Sequence, residues 1–129
     1  MTRPQLIDHA GRRWLEADDY CYNLYEYNAQ SGGYSGGAKN QEIHNLKKPP
    51  HAPEGQLYWK RKAIADWDDE LAGSLEGGQL ENITLIPAPC SKPIGHPDYD
   101  DRLIQVLQRA RQRLPNLDFR ALVVTTVAR

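Results

Sequence analysis

Residues 83–102, ITLIPAPCSKPIGHPDYDDR, decide the fold that the sequence predicts. The apolar run at 83–87 predicts a strand, and a loop punctuated by glycine and proline follows it directly. The next segment, 101–114, predicts an amphipathic helix with one apolar face, made of Leu103, Ile104, Leu107, Ala110 and Leu114. In an α/β sheet, ligands bind at loops that leave the carboxyl ends of strands, and a helix start offers N–H groups suited to phosphate. We therefore expect an α/β fold with a phosphorylated ligand at this loop.

The segments on either side extend this unit into a core. Residues 119–127, FRALVVTTV, form a β-branched run that predicts a buried strand. Strand, helix and strand over 83–127 make one βαβ unit, which we expect to be parallel and right-handed. Upstream, residues 58–75 predict a helix because apolar side chains recur at helical spacing, namely Ala63, Ile64, Trp67, Leu71 and Leu75. The side of this helix predicted to face solvent carries Lys60, Arg61, Asp68 and Glu70.

The N-terminal part is predicted to consist of smaller elements. A short helix is expected within 1–19, and the aromatic run YCYNLYEY at 20–27 alternates in the manner of a strand. A glycine-rich loop at 31–37 precedes a short helix over 38–48, which a proline pair ends. These elements predict an N-terminal segment that lies beside the βαβ unit.

The composition is that expected of one soluble domain. The chain has 129 residues, a net charge of -1 and 40% hydrophobic residues, which is enough for a modest core. Within that domain, residues 1–57 hold the N-terminal strand, the glycine-rich loop and short helices, and residues 58–129 hold the first βαβ part of the core. The charge balance gives no electrostatic case for nonspecific binding to nucleic acid or to membranes. No apolar run reaches the roughly 18 residues of a membrane span, and no secretory signal is present, so we expect a cytoplasmic protein with reduced cysteines.

The loop after the predicted strand carries the candidate site residues. Ser91, Lys92 and Gly95 offer a hydroxyl, a cation and a backbone position that a ligand can approach closely, which suits pyrophosphate. The alternative is a surface loop that these residues merely shape. The carboxylates of Asp100 and Asp101, which follow, either complement the start of the helix or help to hold Mg²⁺ beside a phosphate.

Other patterns along the chain carry less chemistry. The glycine-rich segment at 32–39, GGYSGGAK, misses the P-loop pattern because Ala38 and Lys39 stand where lysine and then serine or threonine are needed. Cys90 is placed where a nucleophile could lie, but a small, half-buried side chain is the alternative that we favour. The histidines and cysteines show no spacing typical of a structural metal site.

Residues 85–102, LIPAPCSKPIGHPDYDDR, resemble the opening of a type I phosphoribosyltransferase-like domain, nearest the ComF-like branch. Residues 45–75 resemble the lysine-bearing segment and helix that precede this strand in that family. The resemblance implies a parallel-sheet phosphoribosyltransferase-like core with an N-terminal α/β hood-like segment. It also implies binding of pyrophosphate or phosphoribosyl pyrophosphate by the loop, with Mg²⁺, and a transferase of the glycosyltransferase class.

One departure from the family bears on activity. Its members grip the ribose 5-phosphate with a later strand that ends in two acidic residues and a Thr- and Gly-rich loop, and this sequence has no such segment; Thr125 and Thr126 follow no acidic pair. The predicted core is therefore incomplete, and we expect no turnover from these residues alone. One expectation is that they are the N-terminal portion of a longer protein. The alternative is a non-catalytic interaction module whose sheet edge at 121–127 pairs with a partner or a second copy.

Overall fold

The computed structural model describes residues 4–8, 15–16, 18–25, 37–78 and 80–127. Within these ranges the chain forms three α-helices and two small sheets, with a 3-10 turn at Leu80–Asn82. The elements in chain order are β1 (Gln5–Leu6), β2 (Tyr22–Asn23), α1 (Ala38–Leu46), α2 (Glu54–Leu75), β3 (Thr84–Leu85), α3 (Arg102–Arg113) and β4 (Asp118–Phe119). β1 and β2 are antiparallel, whereas β3 and β4 are parallel. The mixed α/β class and the parallel pairing around a helix are thus confirmed, but a full phosphoribosyltransferase-like core is not.

The parallel pair is shorter than the sequence predicts. Thr84 lies opposite Asp118, the Thr84 hydroxyl donates a 2.7 Å hydrogen bond to the Asp118 carboxylate, and the Arg120 amide donates to the Leu85 carbonyl at 3.0 Å. The hydroxyl contact holds the pKa of the Asp118 carboxyl below its ordinary value. The strand pairing does not continue beyond these contacts, so the strand predicted over 83–87 is reduced to Thr84–Leu85.

The prediction of a buried strand over 119–127 is wrong. β4 ends at Phe119, and the described residues after it belong to no strand. Leu122 is 64% exposed and Val124 is 56% exposed. No other strand among the described residues pairs with this segment, and β-branched side chains form a ladder only where a partner strand satisfies their backbone groups.

The helices form the core. α2 packs against both α1 and α3. One buried cluster, at the middle of α2, contains Leu46, Ala63, Ile64 and Val106, and a second, nearer the parallel strand pair, contains Ala72, Ala110 and Leu117. The predicted apolar faces of α2 and α3 are therefore the buried ones for the most part, although Leu103 stays exposed.

Two charged residues of α2 that the sequence assigns to solvent are buried instead. Lys60 is 5% exposed and Asp68 is 2% exposed. One Asp68 carboxylate oxygen lies 3.5 Å from both Arg109 Nε and Arg113 Nη2 on α3. A single apolar stripe predicts one covered face, but α2 has a helix on two sides, so residues beside the stripe are enclosed as well.

The N-terminal elements differ from the prediction where the structure describes them. The expected helix within 1–19 is replaced at Gln5–Leu6 by β1, which pairs with β2. The strand expected over 20–27 is limited to Tyr22–Asn23, and its last two positions lie outside the described residues. The glycine-rich loop also lies outside them, except for Gly37. This residue directly precedes α1 and has a φ of 107°.

Lys39 ties this N-terminal part to α2. Its ammonium group lies 3.1 Å from Glu42, 3.0 Å from Glu70 and 4.3 Å from the centre of the Tyr25 ring. Burial opposes the charged form of Lys39, but hydrogen bonds to Glu70 and Glu42 outweigh it and raise its pKa. The hydrogen bond that Lys39 donates to Glu70 also holds the pKa of Glu70 below its ordinary value. The contact between α1 and α2 is thus ionic near the start of α1 and apolar at its last residue, Leu46. Of the described helices, none combines the length and the apolar character needed to cross a membrane.

Candidate functional site

A cavity of about 250 Å³ lies between the two segments that follow β3 and β4. Residues 87–90 form one wall and residues 121–125 contribute to the opposite wall. The first turn of α3 and the end of the loop that precedes it close a third side. The sequence-predicted loop therefore borders a concave space at the carboxyl end of a parallel strand pair, which is the usual position of ligand sites in α/β folds.

Cys90 organises the loop that forms the wall of this cavity. Its Sγ accepts hydrogen bonds from the backbone amides of Lys92 and Asp100, both at 3.4 Å. Its carbonyl accepts a 2.5 Å hydrogen bond from the Thr125 hydroxyl, which joins the loop to the segment after β4. Cys90 is half-buried and, like Cys21, a free thiol. These contacts favour the structural alternative for Cys90 over the nucleophile.

A buried ion pair anchors the other end of the loop. The Asp100 carboxylate accepts a 2.6 Å hydrogen bond from Lys60 Nζ and one of 3.1 Å from Arg102 Nη1, and its second oxygen accepts from the Arg102 amide at 3.1 Å. The Asp100 side chain is only 7% exposed. Since Arg102 is the first residue of α3, Asp100 fixes how that helix starts.

The structure separates the three residues predicted to bind phosphate. Lys92 lines the main cavity. Ser91 lines a second, more open cavity of about 560 Å³, which it shares with residues 124–127. Gly95 lines neither cavity; its φ of 92° needs glycine, and its neighbourhood is open.

Arg102 joins Lys92 at the main cavity and was missed by the sequence analysis. The available signal was its position at the start of the predicted helix, directly after two carboxylates. An arginine in this position indicates a salt bridge with the neighbouring carboxylates. Only the folded loop places it beside Lys92 in the lining of one cavity. Lys92, Arg102 and the N-terminal end of α3 thus form the cationic part of the lining, and apolar side chains such as Ile94 and Leu103 form much of the rest.

The candidate magnesium ligands are already engaged. Asp100 is paired with Lys60 and Arg102, and one oxygen of Asp101 accepts a 2.6 Å hydrogen bond from Gln105 Nε2. The Asp101 side chain does not cap the helix, although it occupies the cap position. Across the described part of the chain, no three His, Cys, Asp or Glu side chains are grouped so that they could hold a metal ion. A resident, fully protein-held Mg²⁺ therefore does not fit these residues, and a role for Asp101 beside a ligand-borne Mg²⁺ stays a prediction.

Comparison with known proteins adds no relative: no protein-family model, curated protein or solved structure matches the chain.

Proposed function

We propose that the protein is phosphoribosyltransferase-like and binds pyrophosphate, or the pyrophosphate group of phosphoribosyl pyrophosphate, in the main cavity. The observation that carries the proposal is the meeting of Lys92, Arg102 and the start of α3 at one concave space that follows a parallel strand pair. Ammonium and guanidinium groups are the usual partners of phosphate oxygens, and backbone amides at a helix start add positive partial charge.

Each group has a distinct part in this proposal. Lys92 supplies a flexible point charge from the middle of the loop, whereas Arg102 supplies a planar fork already oriented by Asp100. The remaining lining of the cavity is mostly apolar, so it lowers the local dielectric and strengthens the attraction between these cations and an anion. Ser91 and Gly95 would reach the same ligand only if it extended beyond the cavity, which makes them secondary in the proposal.

Transfer chemistry is not expected from these residues alone. In the family that the sequence resembles, a separate Thr- and Gly-rich loop holds the ribose 5-phosphate, and the sequence lacks it. Mg²⁺ would enter with the phosphates, which it commonly bridges, with Asp101 as the nearest candidate ligand from the protein. The proposal is therefore ligand binding, with catalysis dependent on groups beyond those in the cavity.

Isothermal titration with pyrophosphate, with and without Mg²⁺, tests the proposal. Lys92→Glu should abolish the binding heat, because it replaces a cation at the cavity with an anion, and it should leave the unfolding midpoint nearly unchanged. Lys62→Glu makes the same change of net charge on an exposed part of α2 that does not line the cavity, and it should bind as the wild type does. Equal affinity in both variants, or no binding by the wild type at any ligand concentration up to millimolar, would refute the proposal.

A second candidate function is supported by the exposed apolar segment after β4. Leu122 and Val124 are more than half exposed, and within the described residues this segment has no strand partner. Addition of a strand at such an edge is a common mode of association, and the occupant that we propose is a second copy of this chain. Sedimentation velocity should then show a mass that rises with concentration and falls to the monomer in Leu122→Lys. The control Gln108→Lys, at an exposed position of α3, should leave the association unchanged. A wild-type chain that stays monomeric at millimolar concentration would count against this function.

A further inference from the structure

Lys60 is a buried cation that lies behind the wall of the main cavity. Its Nζ donates hydrogen bonds to the Leu46 carbonyl at 2.8 Å, the Lys48 carbonyl at 2.6 Å and the Asp100 carboxylate at 2.6 Å. An ammonium group has three protons, so these three acceptors satisfy it fully. Two acceptors lie at the end of α1 and just after it, and the third lies in the loop before α3, 40 residues after Lys60 in sequence, so Lys60 joins α1 to that loop.

Asp100 is the point at which Lys60 acts on the cavity. The residue lines the cavity, yet its carboxylate is almost fully buried. Its backbone amide also donates to Cys90 Sγ, so the position of Asp100 sets the shape of the loop between them. A carboxylate in this position needs a cation beside it, because burying an unpaired charge is strongly unfavourable.

The charges that line the cavity are balanced without Lys60. Lys92 and Arg102 are positive, and Asp100 and Asp101 are negative. Without Lys60, Arg102 would be the cation left beside Asp100 among the described residues, and an anion that approaches the cationic pair would meet an equal negative charge. Lys60 does not line the cavity, but its ammonium group is bonded directly to Asp100 and tips the local balance to positive.

We infer that Lys60 is a positioning and specificity-determining residue: it fixes the loop through Asp100 and, by neutralising that carboxylate from behind, makes the main cavity selective for anions. This inference rests on the proposed function for its ligand, since it explains why the cavity accepts an anion at all. It does not require Lys60 to touch the ligand.

Titration of the full chain with pyrophosphate gives the first test. Lys60→Met should weaken binding by about tenfold, the effect of one unneutralised like charge at a partly solvated site. Asp100→Asn should tighten binding by a similar factor, because the amide oxygen of asparagine can still accept the hydrogen bond from Lys60 and hold the loop, while the negative charge is removed. The double variant should return to about the wild-type affinity. A role limited to folding would instead weaken binding in all three variants.

Lys62→Met is the matched control, since Lys62 is on the same helix, is exposed and pairs with Asp66 at 2.8 Å. It should bind pyrophosphate as the wild type does. Wild-type affinity in Lys60→Met, or a double variant as weak as Lys60→Met, would overturn the inference. If Lys60→Met does not fold, weaker binding by Asp100→Asn would overturn it equally.

Hydrogen exchange without ligand separates this inference from the proposed function. Lys60→Met should speed amide exchange in residues 90–101 by about tenfold relative to the middle of α3, since its anchor to α1 and α2 is lost. Unchanged exchange in this loop overturns the positioning role whether or not pyrophosphate binds. Faster exchange together with no binding of pyrophosphate by the wild type would refute the proposed function and the charge-selecting role, while supporting Lys60 as the anchor of the loop.

Discussion

Ile64 offers the sharpest test of how the scaffold holds the cavity. It is on α2, 4% exposed, in the cluster that also contains Leu46 of α1 and Val106 of α3. Ile64→Ala removes three carbon atoms from this cluster, which at ~0.8 kcal/mol each corresponds to ~2.4 kcal/mol of lost transfer free energy. Incomplete collapse of the resulting space adds a further cost, so we expect a total of about 3 to 4 kcal/mol.

The matched control is Ile94→Ala, which deletes the same atoms from a side chain that is 71% exposed on the loop. We expect its free energy of unfolding to change by no more than about 0.5 kcal/mol. Urea unfolding followed by circular dichroism measures both, and the melting temperature of Ile64→Ala should fall by about 10 °C or more. A loss below about 1 kcal/mol in Ile64→Ala, or equal losses in the two variants, would show that α1 and α3 do not enclose α2 at this point.

Three further outcomes follow from the described contacts. The pKa of Glu70 is lowered by its hydrogen bond from Lys39, so Glu70 stabilises the fold above its ordinary pKa of 4.5 and loses that effect as the pH falls through its folded pKa. Urea unfolding should therefore show that Glu70→Gln is less stable than the wild type at pH 7 and that the difference shrinks below pH 4.5. A difference that stays constant with pH would contradict this role of Glu70. Ala110 is fully buried in the cluster with Ala72. Ala110→Leu should therefore overpack α2 against α3 and lower the free energy of unfolding by about 1 to 3 kcal/mol in the same assay. An unchanged free energy of unfolding would show that the two helices lie further apart. Gly95→Ala should destabilise the loop by about 1 kcal/mol because of the positive φ and not because of a clash, so Gly95→Asn should be milder, and equal losses in the two variants would argue against the backbone conformation.

Local patterns in the sequence predicted the three observed helices well, but the helix expected within 1–19 was wrong at Gln5–Leu6, which form β1. α3 begins and ends within one residue of its predicted bounds, and α2 extends only a few residues further upstream than its apolar spacing indicated. Gly77, with a φ of 79°, follows the end of α2, where prediction and structure agree, whereas Pro53 comes directly before a start that the apolar spacing placed four residues later. Helix periodicity and helix breakers act over a few residues, so they can be read without knowing the rest of the fold.

The strands were predicted less well because a strand depends on a partner. The parallel relation of β3 and β4 followed from the helix between them, but the length of pairing did not. Nothing in the run at 119–127 shows that its strand pairing with β3 ends at Phe119. The cavity lies between the two segments that follow this pairing, so the site and the error in strand length have one cause.

The sequence by itself determined α1, α2 and α3, the parallel relation of β3 and β4, the loop between β3 and α3, and the presence of Lys92 in that loop. Only the tertiary structure decided that Arg102 shares the cavity with Lys92, that Ser91 faces a different space, and that Lys60 is buried against Asp100. The physical reason is distance along the chain: periodicity and turn chemistry are local, whereas the burial of a charge depends on which distant segment brings its counter-ion.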